Sequence, residues 1–193
     1  MDRYPIGIVA QLPLPPAVER TDHTLQDMPV TLELRLATPD DSVSISRLLI
    51  ANSAANGGTL YGDWSAAVVR TWVETGTPII VAIDGEQVKG VLFSAENADD
   101  AAPPVKAMFA ACPAIDDAYA YGPICVDPSM RGQGLPKALY TKLCHYMGER
   151  RGLLFINRSN VGSLKAHQKL GMDVIADFKL GDQAFDVLQT PAS

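Results

Sequence analysis

Arg131, Gly132 and Gly134 stand close together in the stretch Val126-Asp127-Pro128-Ser129-Met130-Arg131-Gly132-Gln133-Gly134-Leu135-Pro136, between an apolar run and an amphipathic one. These residue types suit the capture of an anion. A strand ending near Val126, a loop and a helix opening near Leu135 leave backbone N–H groups without intrahelical partners and aimed at one spot. The positive end of the helix dipole adds to their pull. The two glycines let the backbone approach a ligand with no Cβ between, and Arg131 brings a formal positive charge. A diphosphate has the matching shape and charge. A Walker loop is excluded, because Lys137 follows Pro136 and precedes Ala138 where that motif needs Gly-Lys-Ser/Thr. A dinucleotide fingerprint matches poorly, since the loop lies two thirds of the way along the chain.

A second stretch with chemical content is Asn160-Val161-Gly162-Ser163-Leu164-Lys165-Ala166-His167-Gln168-Lys169-Leu170-Gly171-Met172. Asn160 or Ser159 suits a helix N-cap and Gly171 suits its end, while Ser163 and His167, one turn apart, share a face. The two stretches resemble motifs A and B of the GNAT superfamily of acyl-CoA-dependent N-acyltransferases. Arg131, Gly134 and the Val126-x-Pro128 lead-in match the first motif, and Pro136 departs from its last small residue. The second matches in its Asn, its small residue three later, a His four after that, and Lys-Leu-Gly followed by an apolar residue. The resemblance covers about residues 31–190.

That resemblance implies an α/β fold: a single GNAT-type domain with a mixed, mostly antiparallel sheet and helices on both faces. It also implies acetyl-CoA as cofactor and, as partner, a small-molecule or peptide amine. The amine attacks the thioester carbonyl, so the oxyanion needs a donor and the departing thiolate benefits from a proton. By the same resemblance the backbone N–H of Val126 is the oxyanion donor, and the backbone from Ile124 to Val126 borders the pantetheine arm. The amides of Arg131, Gly132, Gln133, Gly134 and Leu135 hold the pyrophosphate, and Asn160 and Ser163 line the cofactor's path. The family's proton donor is usually a Tyr at the position of His167, and imidazolium can supply a proton near neutral pH. Many members also place a Glu on the strand before motif A, but residues 118–126 hold no carboxylate. Tyr121 is the catalytic candidate on that strand, sharing a face with Tyr119, with Asp116 and Asp117 just before it. The base stays open, with a water chain as an alternative. Two other functions also stay open: a non-catalytic acyl-CoA sensor, and an acyltransferase with another donor or a non-amine acceptor.

These residues need elements to hold them. Residues 31–36 alternate as a half-buried strand does. Thr38-Pro39-Asp40-Asp41 reads as a helix start with a capping box, followed by Ile45, Leu48 and Leu49 facing inward, with a stop expected at Asn56-Gly57-Gly58. A second helix is expected from Asp63, with Trp64, Val68 and Trp72 as its buried stripe. Residues 78–83 and 88–95 read as strands of a hairpin through Asp84-Gly85-Glu86-Gln87. Residues 96–117 are too long for a tight connection and include a helical turn over 105–112, so they read as a lid, an acceptor-site wall or an insertion. Gly122-Pro123 should disturb the strand over 118–126, since proline has no N–H for a ladder and glycine weakens one. Leu135, Ala138, Leu139, Leu143 and Met147 then share a helix face, residues 153–156 form a short buried strand, and 172–180 and 183–188 close the sheet as a hairpin.

Composition narrows the class. A chain of 193 residues with 47% hydrophobic content suits one well-cored domain, here residues 30–193, preceded by a Pro-rich extension over 1–29 that carries five prolines. That extension reads as a surface arm or as a docking segment for a second subunit, so a homodimer is one expected partner arrangement. Net charge is −6 and the isoelectric point near 5.0, which argues against a general nucleic-acid binder. No apolar run approaches the roughly 20 residues that span a bilayer, so no membrane partner is expected. Three cysteines without metal-ligand spacing suit reduced thiols and a cytoplasmic location, with no metal site.

Overall fold

The structure of the protein, a computed structural model, describes residues 32–99 and 101–191. The Pro-rich extension lies outside the described residues. Seven strands form one sheet in the order β1-β2-β3-β4-β5-β7-β6, comprising β1 (Glu33–Leu36), β2 (Ile80–Asp84), β3 (Gln87–Ala95), β4 (Tyr119–Val126), β5 (Gly152–Asn157), β6 (Asp173–Leu180) and β7 (Gln183–Gln189). Among the described residues, β4 and β5 are the one parallel pair of neighbouring strands, and the other neighbours are antiparallel. This is the mixed, mostly antiparallel α/β sheet expected.

Alternation along the strands sends side chains to two cores. One, holding Phe93, Cys125, Phe155 and Val187, packs under α1 (Ser42–Ala51), α2 (Ala66–Val73) and α3 (Pro103–Ala111). The other, holding Tyr119, Tyr121, Ile124 and Val126, packs under α4 (Leu135–Met147) and α5 (Val161–Gln168). Helices therefore cover both faces, and each hides an apolar stripe that water would otherwise meet.

The entry to α1 is held by charge as well as capping. The Asp41 carboxylate accepts from the Thr38 backbone N–H at 2.7 Å, and Arg35 grips it with two N–H bonds at 2.7 and 2.9 Å. Burial works to raise the Asp41 pKa, but these donors outweigh it and hold the carboxyl below its usual range. The helix then ends at Ala51, earlier than the glycines at 57 and 58 suggest. Asn52 stops it, donating from its side chain to the Leu48 carbonyl at 2.9 Å and accepting on its own carbonyl from the Thr59 and Leu60 N–H groups. The next helix starts at Ala66 rather than Asp63, whose side chain instead accepts from the Ser65 N–H. Trp64 is buried just before the helix, and Val69, not Val68, is its buried valine, while Trp72 lies in the core.

The 96–117 connection holds a nine-residue helix, α3, that packs on β5 and β6. Pro103 occupies its first turn, where a missing N–H costs nothing, and Val105, Met108 and Cys112 turn into the core. Arg150 pins the ends of the connection, donating to both Glu96 carboxylate oxygens and to the Asp117 carbonyl. The segment is packed on the sheet as part of the fold.

Where β4 and β5 pair, Gly152 leaves no room for a side chain: a Cβ there would stand 2.8 Å from Thr190 Cγ2 and 2.8 Å from Tyr119 Cζ. Both neighbours are buried, and Thr190 already accepts from the Gly152 N–H. Gly152→Ala should therefore destabilise the fold by about 1–3 kcal/mol through overpacking. Urea unfolding tests this, with a lower midpoint and an unchanged slope expected.

Candidate active site

The break expected at Gly122-Pro123 is present and changes which way β4 faces. Leu92 pairs with Ile124 and Ser94 with Tyr121, so Phe93 alone stands opposite two residues. Two hydrogen bonds reveal the consequence. The Tyr119 N–H donates toward β5, to the Arg151 carbonyl at 3.0 Å, whereas the Asp127 N–H donates toward β3, to the Lys89 carbonyl at 2.8 Å. Residues an even number apart in a regular strand point the same way. The extra residue has thus turned the strand over between them. After the bulge the N–H groups of Ile124 and Val126 look toward β5. There β5 is out of reach, because it pairs with β4 only at Tyr119 and Ala120 and then diverges. Two donors consequently line an open split in the sheet.

The strand runs into the glycine loop. The Asp127 carboxylate accepts from both the backbone N–H and the hydroxyl of Ser129, starting a single helical turn over Pro128–Met130. Gly132 and Gly134 then take φ values of 76° and 77°, left-handed backbone that favours glycine. The first helical hydrogen bond of α4 joins the Ala138 N–H to the Gly134 carbonyl. Among the described residues, the N–H groups of Gly132, Gln133, Gly134 and Leu135 have no backbone acceptor. A Cβ built on either glycine meets nothing within 4 Å, so the loop is open on the side where these side chains would stand.

The Arg131 side chain is tied to a residue far off in the chain. Its guanidinium donates to the side-chain oxygen of Asn52 at 3.1 Å, and its Nε is buried without an acceptor among the described residues.

Across the split, the Asn160 side chain caps α5 by accepting from the Ser163 N–H at 3.1 Å. His167 is fully buried one turn on, with Nδ1 2.8 Å from the Ser163 carbonyl oxygen. A carbonyl only accepts, so Nδ1 carries the proton and Nε2 presents a lone pair. Burial pushes the imidazole down to about 4, only partly opposed by the Ser163 carbonyl. The expectation of an imidazolium donor near neutral pH is therefore corrected: the ring is neutral and Nε2 accepts. Its edge meets the Tyr121 ring at 5.9 Å, and Tyr140 of α4 flanks Tyr121 at 5.8 Å. Burial raises the Tyr121 phenol well above its usual value, so its O–H persists at all physiological pH.

Five buried side-chain atoms lack a partner among the described residues, and four of them belong to this region: Tyr121 Oη, Arg131 Nε, Asn160 Nδ2 and His167 Nε2. Leaving such atoms unmatched costs about 1–3 kcal/mol each. A ligand with amide groups and a diphosphate would satisfy them and the open N–H groups together. The carboxylates before β4 do not join the site, since Asp116 and Asp117 lie at the opposite end of the strand from Val126 and Asp117 is paired with Arg150 at 3.1 Å. The Asn52–Arg131 contact joins residues 79 apart, and no local pattern signals it.

The family model described as "Acetyltransferase (GNAT) family" matches residues 60–172. Among curated protein sequences there is no match. Among solved structures, yncA from Salmonella typhimurium, determined with acetyl-CoA, superposes with a TM-score of 0.62 at 18% identity, covering 84% of this chain and 95% of its own. An N-acetyltransferase from Staphylococcus aureus Mu50 gives 0.59 at 22% identity, over 82% of this chain and 96% of its own. A ribosomal-protein-alanine N-acetyltransferase from Brucella melitensis gives 0.59 at 19%, over 82% and 99%. At such identities the likeness is one of fold.

The neutral His167 has a measurable consequence for stability. In the unfolded chain an imidazole titrates near 6.5, against about 4 here. Between those values the unfolded state holds a proton that the folded state does not, so stability rises with pH. The contribution is complete above about 6.5 and is lost as pH falls toward 4. His167→Asn should remove this slope, which amounts to at most about 1.4 kcal/mol per pH unit. Urea midpoints from pH 4 to 7 measure it; identical slopes in parent and variant would mean that His167 is charged in the fold.

Proposed function

The chain belongs to the acetyltransferase (GNAT) family, and on that premise we propose that it transfers an acetyl group from acetyl-CoA to the primary amine of a small molecule or peptide, by direct attack on the thioester. The observation that carries this reading is the split in the sheet, with two strand N–H groups turned into it and a row of open loop N–H groups at its end. Acetyl-CoA, when bound, supplies the activated acetyl carbonyl and a thiolate leaving group.

In this reading the loop amides from Gly132 to Leu135 hold the diphosphate, using donors that no helix bond consumes, while the Arg131 N–H is spent on the Pro128 carbonyl. Ile124 and Val126 donate from β4, and the Val126 N–H faces the carbonyl oxygen as negative charge grows on it. Asn160 and Ser163 border the pantetheine arm, and the lone pair on His167 Nε2 accepts from one of its amide N–H groups. Tyr121, kept protonated by burial, is the hydroxyl that donates to the departing sulfur. The sulfur gains the phenol's proton and the proton shed by the attacking nitrogen restores the phenol through solvent, so Tyr121 ends as it began and the exchange balances. The names of two similar structures, both N-acetyltransferases, support an amine acceptor. A sensor that binds acyl-CoA without turnover is the second reading, favoured by the lack of a carboxylate base beside β4.

Thiol release from acetyl-CoA over a panel of primary amines and peptides separates the two. The parent should turn over with at least one amine; acetyl-CoA binding with no thiol released by any acceptor would establish the sensor instead. Tyr121→Phe should lower kcat by roughly 10²-fold with acetyl-CoA affinity nearly unchanged. Gly134→Val should weaken acetyl-CoA binding at least tenfold in calorimetry, because a branched side chain is strained at φ 77° and intrudes on the cradle.

A further inference from the structure

The loop that carries the open N–H groups is lightly held. Gly132, Gln133 and Gly134 are exposed, and two of its hydrogen bonds are local, from the Gln133 side chain to the Ser129 carbonyl and from the Arg131 N–H to the Pro128 carbonyl. Among the described residues, the side-chain hydrogen bond that ties this loop to a distant part of the chain is Arg131 to Asn52. Asn52 itself has little freedom. It is 7% exposed, its amide nitrogen is committed to the Leu48 carbonyl at 2.9 Å, and its oxygen is thereby turned to the guanidinium. Its backbone carbonyl takes two further N–H groups, from Thr59 and Leu60. The returning chain passes so close that a Cβ on Gly58 would stand 1.9 Å from that carbonyl oxygen. A fixed acceptor at the end of α1 thus faces the one cation at the root of an otherwise loose turn.

We propose that Asn52 is a positioning residue for the acetyl donor: by fixing the Arg131 guanidinium it holds the Arg131–Leu135 backbone in the shape that receives a diphosphate. The inference rests on the functional reading above. Asparagine suits the task because it offers a donor to Leu48 and an acceptor to Arg131 from one rigid amide. An aspartate keeps the acceptor and loses the donor; a leucine of similar size keeps neither.

Calorimetric titration of acetyl-CoA, alongside thermal melts of the same proteins, tests it. Asn52→Leu should weaken binding roughly tenfold, equivalent to about 1.4 kcal/mol, and Asn52→Asp should bind within about threefold of the parent, since it still meets Arg131. Both should melt lower than the parent, because both lose the Leu48 bond. Arg131→Met should weaken binding to a similar degree, and the double variant Asn52→Leu/Arg131→Met should bind no worse than Arg131→Met alone, as residues acting through one contact do. Should Asn52→Leu fail to fold, Asn52→Ser replaces it in the cycle, its hydroxyl being too short to reach the guanidinium. Lower melting with unchanged acetyl-CoA affinity, or additive losses in the double variant, would overturn the inference and leave Asn52 as a helix stop. A parent that binds no acetyl-CoA would sink the functional reading as well, whereas a binding parent with an unaffected Asn52→Leu sinks this inference alone.

Discussion

The bulge opposite Phe93 governs the site, because an antiparallel ladder tolerates one extra residue only by reversing the sense of everything after it. Before Gly122-Pro123 the odd-numbered residues of β4 donate toward β5; after it they donate toward β3. Ile124 and Val126 would otherwise spend their N–H groups on the ladder with β3. Instead they face the side from which β5 has withdrawn, and a sheet that is continuous at Ala120 and Leu153 becomes a cleft a few residues later. The side chains turn over with the backbone: Tyr119 and Tyr121 lie in the same core as Ile124 and Val126, although the parity of their numbers differs.

Opening a sheet exposes polar groups in a place that apolar packing keeps dry, and the chemistry of the site follows from that. The His167 imidazole, enclosed by α5 and the Tyr121 ring, stays neutral because a charge there would lose its hydration with no carboxylate to offset the loss. The Ser163 carbonyl then selects its tautomer. The same burial keeps the Tyr121 phenol protonated. A histidine at a position where the family commonly carries a tyrosine therefore reverses its polarity, offering a lone pair where a hydroxyl would offer a proton. In the proposed function the hydroxyl is that of Tyr121, on β4.

The rest of the molecule holds the two lips of the cleft at a set spacing. On one face α4 packs against β1, β2 and β3 as well as β4, and Gly90 allows this by leaving room for Leu135 and Leu139, whose methyl groups would lie 3.0 and 3.1 Å from a Cβ there. On the other face α3 fills the space over β5 and β6, with Met108 and Val105 in the same core as Phe155 and Phe185. Residues 132–134 of the glycine loop are exposed, and among the described residues the side-chain hydrogen bond that ties the loop to a distant part of the chain runs to Asn52, just past α1.

By itself the sequence determined what depends on near neighbours. The order of strands and helices, the glycines of the cradle, the Asn160 cap and the Gly122-Pro123 break are local, since turn residues, periodicity and caps act over a few positions. The two motifs carried the family with them. Tertiary structure decided what depends on distance in the chain. The end of α1 moved to Ala51 because Thr59 and Leu60 return to bond Asn52; the helical turn read over 105–112 found its place on the sheet because the core took in Val105 and Met108; and Arg131 met Asn52, a partner 79 residues away. The protonation of His167 belongs to the same class. Its type and spacing were legible, but the sign of its role was not, because a pKa is set by the groups that exclude water from the ring, and those come from β4 and α5 together.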